Sequence, residues 1–175
     1  GVQVSSQPVV SDINGNATYM PITNSFSTNN VRAAASFDGV TAYVAGTSQP
    51  IRTITAAAAG NSTAFSSGGS GSWRVVNVYN GTVYASTQTN TAGGAAPYSG
   101  VYQFDALGVA SLLPGMPTIT GITATSPAPM DFMFAGSTTM YVADDRTVAN
   151  GGGLQRWDLA GGLWSLTYTM GGGLT

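Results

Sequence analysis

The chain contains no lysine, glutamate, histidine or cysteine. Every acid is an aspartate (Asp12, Asp38, Asp105, Asp131, Asp144, Asp145, Asp158) and every base an arginine (Arg32, Arg52, Arg74, Arg146, Arg156). Without cysteine no disulfide can form, and redox compartment cannot be read from thiols. Loss of both His and Cys removes the usual zinc and copper ligands. Scattered arginines with no lysine make no basic patch, which argues against nucleic-acid binding. No apolar run approaches a membrane span, and no secretory leader is visible. Serines are plentiful, yet no His or Lys stands ready to activate one, and no Gly-x-Ser-x-Gly elbow occurs. The glycine runs Gly68–Gly69 and Gly151–Gly153 precede strand-like segments rather than helices, so they are not phosphate cradles. We therefore expect no catalytic residue, no cofactor and no metal.

Charge is scarce as well as one-sided in type. Only 7% of the 175 residues are charged, for a formal net charge of −2, against about a quarter in an ordinary globular domain. Such a surface is hydrated by hydroxyls, amides and backbone, and little repulsion keeps copies apart. This composition suits an extracellular or cell-surface protein for which association is acceptable. The sequence opens on Gly1 rather than Met, as a processed or excised piece would.

What the chain does have is strand signal and repetition. Val, Ile, Thr, Tyr and Phe cluster in short runs separated by Asn-Gly, Asp-Gly, Gly-Gly and Pro-containing turns. Helical periodicity is missing, and the one alanine run, Ala56–Ala59, is at most a single turn. Three stretches are built alike: Arg32-Ala-Ala-Ala-Ser-Phe-Asp38-Gly39-Val-Thr-Ala-Tyr43, Arg74-Val-Val-Asn-Val-Tyr-Asn80-Gly81-Thr-Val-Tyr84, and Met130-Asp-Phe-Met-Phe-Ala135-Gly136-Ser-Thr-Thr-Met-Tyr141. Each reads as a strand, a glycine turn and a second strand centred on Tyr. Asn80-Gly81, Asp38-Gly39 and Asn14-Gly15 suit type I′ hairpin turns.

A third strand follows each hairpin (Pro50–Ile54, Gly100–Asp105, Gly153–Leu159), then a fourth, clearest in Leu163–Thr169. Four strands per unit, repeated at roughly forty to fifty residues, describe propeller blades. The expected class is all-β, a β-propeller-like array of four-stranded antiparallel blades, incomplete within this chain. Blades fall at 32–72, 73–122 and 123–175, with 1–31 as outer strands of a preceding blade. Ser86–Ala96 and Leu112–Pro129 are expected loops. An unclosed array exposes faces and edges that pair with other chains.

Tyr141-Val-Ala-Asp-Asp-Arg-Thr147, Gly151-Gly-Gly-Leu-Gln-Arg-Trp157 and Trp164-Ser-Leu-Thr-Tyr168 resemble a family of large bacterial secreted or surface proteins with propeller-like repeats. Val31–Gly39 and Arg74–Gly81 resemble its repeats too, so the likeness covers most of residues 31–170. Its members are usually longer than this chain, which favours a fragment. The resemblance implies no catalytic residues.

Several residues are candidates for chemistry. Asn16-Ala-Thr18, Asn61-Ser-Thr63 and Asn80-Gly-Thr82 satisfy the N-glycosylation acceptor pattern, with Asn61 the best placed in a polar loop. The Ser/Thr clusters offer O-linked sites. Asp12-Ile-Asn14-Gly-Asn16 spaces oxygen donors at alternate positions as a calcium loop does, but has too few carboxylates and reads better as a turn. Glycoside hydrolysis needs two carboxyls across a cleft. Asp105, Asp144, Asp145 and Asp158 sit at strand ends, where Asp145–Arg146 and Asp158–Arg156 pairs fixing turns or bridging blades explain them more simply. Trp73, Trp157, Trp164, Tyr84, Tyr102 and Tyr141 are expected to pack between blades, leaving Tyr98 as the exposed aromatic best suited to a sugar ring. The expected function is a non-enzymatic structural or surface-assembly protein (surface layer, sheath or filament). Its partners would be copies of itself or the remainder of a longer chain. A glycan-binding adhesin is the alternative, and a carboxylate glycoside hydrolase a more distant one.

Overall fold

The computed structural model describes residues 9–11, 17–19, 26, 30–55, 61–66, 71–88 and 98–171. The Asn14-Gly15 turn, Ala56–Ala59 and Gly68–Gly69 lie outside them. Two short strands, β1 (Val9–Ser11) and β2 (Ala17–Tyr19), pair as an antiparallel ribbon. Twelve further strands form three antiparallel sheets of four. The first holds β3 (Val31–Ala35), β4 (Thr41–Gly46), β5 (Arg52–Thr55) and β6 (Thr63–Ala64). The second holds β7 (Trp73–Tyr79), β8 (Thr82–Thr87), β9 (Gly100–Phe104) and β10 (Ala110–Leu112). The third holds β11 (Pro129–Phe134), β12 (Thr139–Asp144), β13 (Gly153–Ala160) and β14 (Leu163–Met170). Strands pair in sequence order within each sheet. The all-β class and the four-stranded antiparallel units expected from sequence are both present.

The hairpin turns follow their residues, with one correction. Asn80 (φ 48°) and Gly81 (φ 74°) both take positive φ, as a type I′ turn demands. Between β3 and β4 only Gly39 does (φ 70°), and the expected two-residue turn is a longer loop. Ala35 already pairs with Tyr43, so the intervening chain folds around a side chain instead. The Asp38 carboxylate accepts the backbone N–H of Val40 and Thr41, each at 2.8 Å, and the Ser36 hydroxyl at 3.1 Å. An aspartate that can gather local amides offers the loop an alternative to the tight turn.

The sheets stack through their first strands. β3 and β4 lie against β7, while β11 lies against β7, β8 and β9. Between the first and second sheets, Ala45, Ile51, Trp73, Val76, Val83, Ala85, Tyr102 and Phe104 form one buried core. Between the second and third, Val101, Leu113 and Met116 meet Phe132, Met140, Val142, Trp157 and Trp164. The middle sheet is therefore buried on both faces, and β8 accordingly loses strict in–out alternation. Arginines on the first strands reach forward. Arg32 donates to the Ser72 hydroxyl at 3.0 Å, and the Arg74 guanidinium meets the Met130 sulfur and the Gln88 side-chain amide oxygen.

Each sheet also carries a polar brace at the same register position. Arg52 opposes Val44, Tyr102 opposes Ala85, and Gln155 opposes Val142. Arg52 donates to the Ser62 carbonyl at 2.6 Å, Tyr102 to the Tyr98 carbonyl and Gln155 to the Gly151 carbonyl, each at 2.8 Å. Three different side chains thus perform one task, tying a loop carbonyl to the third strand.

A further brace is specific to the third sheet. Asp144, with its side chain 1% exposed, takes Arg146 Nε at 2.8 Å and Nη2 at 3.0 Å. It also accepts the amides of Ala128 and Arg146. The sequence-based pairing of Asp145 with Arg146 is thereby corrected: the inward-pointing neighbour wins because alternation turns Asp145 to solvent. Removing one partner of a buried ion pair strands the other. Asp144→Asn should therefore lower unfolding free energy by about 3 kcal/mol, measured by urea denaturation. A loss under about 0.5 kcal/mol, the scale of a surface change, would contradict this role.

Candidate functional site

Register identifies equivalent positions in the three sheets. The cross-strand rows are Ala35–Tyr43–Thr53, Asn77–Tyr84–Gln103 and Met133–Tyr141–Arg156. One step along lie Ala45 beside Ile51, Ser86 opposite Val101, and Ala143 opposite Leu154. The repeat therefore presents a Tyr, a small residue and an aliphatic residue on one face of each sheet. In the first sheet Tyr43, Ala45 and Ile51 pack on the second sheet. In the second, Tyr84 and Val101 pack on the third, with Ser86 fully buried beside them.

Among the described residues, this face of the third sheet meets no other sheet. Asp131, Phe132, Met133, Tyr141, Ala143 and Leu154 line an open, apolar groove of about 370 Å³. Ile51 and Val101 are 0% exposed, but their counterpart Leu154 is 36% exposed, with Met133 at 56% and Met170 at 47%. Tyr141, expected between blades, is thus corrected to an open sheet face. The other named aromatics do pack between sheets: Trp73 and Tyr102 in the first interface, Tyr84, Trp157 and Trp164 in the second.

Asp131 accepts the backbone N–H of its neighbour Phe132, and the other polar groups on this face are engaged with one another. Arg156 Nη2 lies 3.0 Å from Asp158 Oδ1, and its guanidinium carbon sits 6.0 Å over the Tyr168 ring. Thr139 donates to Asp158 at 2.9 Å and Thr167 at 2.5 Å. The Thr167 hydroxyl, then Arg156, hold the Asp158 carboxyl below the ordinary carboxylate value, while hydrogen bonding to Tyr168 raises the Tyr141 phenol. Thr167 falls where the pairing register slips between Arg156 and Trp157, a bulge that turns Tyr168 to the open face and Leu166 to the other.

The remaining candidates scatter. Asn61 and Asn80 are exposed, Asn80 within its turn. Asn16 and the Asp12–Asn16 loop lie outside the described residues. Tyr98 is half-buried rather than fully exposed, its backbone N–H and carbonyl both bonded to the Tyr102 hydroxyl. Asp105 accepts the amides of Leu107 and Val109, capping the β9–β10 turn. Arg156–Asp158 and Arg146–Asp144 each join residues of the third sheet or its loops rather than bridging sheets. Among the described residues no three acidic side chains gather as a metal ion would require. Sequence reasoning missed the groove, although the repeat signal that marked Tyr141 also marked its position.

A second cleft, of about 220 Å³, opens between the second and third sheets. Tyr79, Tyr84, Gln103, Phe134 and Trp164 contribute to its wall. Tyr79 stacks on Phe134 with centroids 4.8 Å apart, and Tyr84 meets the same ring at 4.6 Å. Burial raises the Tyr84 phenol above its ordinary value and pushes Tyr102 up to about 12.

Two measurements test this account. In dilute solution Ile51→Ala and Val101→Ala should each cost about 2–4 kcal/mol, while Leu154→Ala should cost under about 0.5 kcal/mol. Equal losses at all three positions would show that the third face is not open. Stability should be flat from about pH 5 to 9, where nothing shifted titrates. Asp38 and Asp158 are depressed below 3.8, so their contribution is present above that value and is lost as pH falls through the lower folded value. Tyr84 and Tyr102 are raised above 10.0, so their contribution is present below 10.0 and lost as pH climbs. Thermal melts showing a transition near pH 6 would contradict it.

No protein-family model matches this chain and no curated protein sequence matches it, so the reading of the site rests on its own residues.

Proposed function

We propose that this chain is a non-enzymatic structural protein of an extracellular or cell-surface assembly. Its three sheets would be successive blades of a propeller-like array, completed by sheets from outside these residues. The observation that carries this reading is the Tyr141–Ala143–Leu154 face: by sequence and register the counterpart of the covered faces of the first and second sheets, yet open to solvent. The edge of the same sheet adds to it. Among the described residues β14 pairs only with β13, and Leu163, Leu166, Tyr168 and Met170 along it are 41–56% exposed. A long apolar edge strand is a template for pairing with another chain. The near-neutral, sparsely charged surface offers little repulsion to oppose it. The carboxylates of Asp38, Asp105, Asp144 and Asp158 are all engaged by turns, strands or arginines, which suits a structural part.

A glycan-binding adhesin is the second reading, favoured by the cleft that joins Tyr79, Tyr84 and Trp164 to the Gln103 amide. Aromatic faces beside amide groups suit a sugar ring.

Electron microscopy and light scattering of the protein at rising concentration should reveal multimeric assemblies. A discrete monomer throughout would sink the structural reading. A reproducible glycan-array signal abolished by Tyr79→Ala would put the adhesin in its place.

A further inference from the structure

The stack of sheets has two end faces, and they differ. On the first sheet, Ala42, Val44 and Ile54 are 1%, 0% and 2% exposed, with Phe26 (3% exposed) packed in the same cluster. Register makes this row the counterpart of Val83–Ala85–Phe104 and Met140–Val142–Trp157, the rows by which the second and third sheets pack on their predecessors. That end is closed. At the other end the Tyr141–Ala143–Leu154 row is open and surrounded by Met133, Met170 and Tyr168.

We infer that the open third-sheet face is covered by the same face of a second copy of this chain, in a two-fold symmetric dimer. This inference rests on the self-association reading and names the surface that carries it. Head-to-tail addition would require the Ala42–Val44–Ile54 row of the incoming copy, and that row is already occupied. Face-to-face packing uses a surface open in both copies, and isologous two-fold contacts are the commonest in soluble oligomers. Two sheets meeting in this way lie about 10 Å apart with side chains interdigitated. The groove beside Tyr141 and Ala143 offers the space that the Leu154 side chain of the facing copy would fill.

Charge fits the same arrangement. Arg156 enters the interface already paired with Asp158, so no lone cation is buried. A two-fold axis along the strands between β12 and β13 lays β12 of one copy over β13 of the other, and β11 over β14. Asp131, on the edge strand β11, then lies at the rim of the interface, where its carboxylate keeps its water.

The test uses the whole chain, whose lack of cysteine makes single-thiol variants clean. Sedimentation equilibrium should give a reversible monomer–dimer equilibrium, weakened at least tenfold by Leu154→Asp. Unchanged thermal melting of that variant in dilute solution confirms its fold. Leu154→Cys protein should be joined to itself by a short bis-maleimide, whereas Leu107→Cys, at an 80% exposed position, should not. Larger assemblies indifferent to Leu154→Asp would overturn this interface and leave the self-association reading standing. Cross-links found only when Leu154→Cys is mixed with Ala34→Cys, on the exposed part of the first-sheet end, would mean head-to-tail packing and overturn the two-fold arrangement. A monomer at every concentration would overturn both.

Discussion

A four-stranded meander with apolar residues on both faces cannot satisfy itself, and that constraint organises this molecule. The second and third sheets each bury one row of side chains against the sheet before them, and the first and second each offer another to the sheet after. At about 25 cal/mol per Å² of apolar surface removed from water, these contacts outweigh anything the few surface charges contribute. Order in one sheet therefore depends on the sheet beside it, as in other repeat architectures.

Within that frame the polar side chains hold geometry. Arg52, Tyr102 and Gln155 tie a loop carbonyl to the third strand in their respective sheets. Chemically unlike residues serve because the requirement is only a donor of suitable reach at that register. Asp38 and Asp105 collect loop amides, and Asp144 locks the end of β12 through Arg146. These aspartates are the same residues that a search for paired catalytic carboxyls would single out, and their bonds give each a structural occupation.

The open face adds a functional consequence to the architecture. Its Tyr, small and aliphatic residues are those of an interface, while its ion pair is self-contained and leaves no lone cation to desolvate. A surface of that composition is suited to meeting another sheet rather than a charged ligand. The aromatic cleft between the second and third sheets differs in kind, since it combines ring faces with an amide and narrows where Phe134 closes on Tyr79 and Tyr84.

Sequence by itself determined the strand class, the four-strand unit and the Asn80-Gly81 turn, because alternation and positive-φ residues act over a few neighbours. It marked Tyr43, Tyr84 and Tyr141 as equivalent for the same reason. Tertiary structure alone decided that Tyr141 faces solvent while its two counterparts are covered, since burial depends on whether another sheet is present. It also decided that Asp144 rather than Asp145 holds Arg146, and that Asp38 gathers amides instead of closing a tight turn. Those outcomes turn on which side of a sheet a residue faces and what stands opposite, and neither is written in the order of residues.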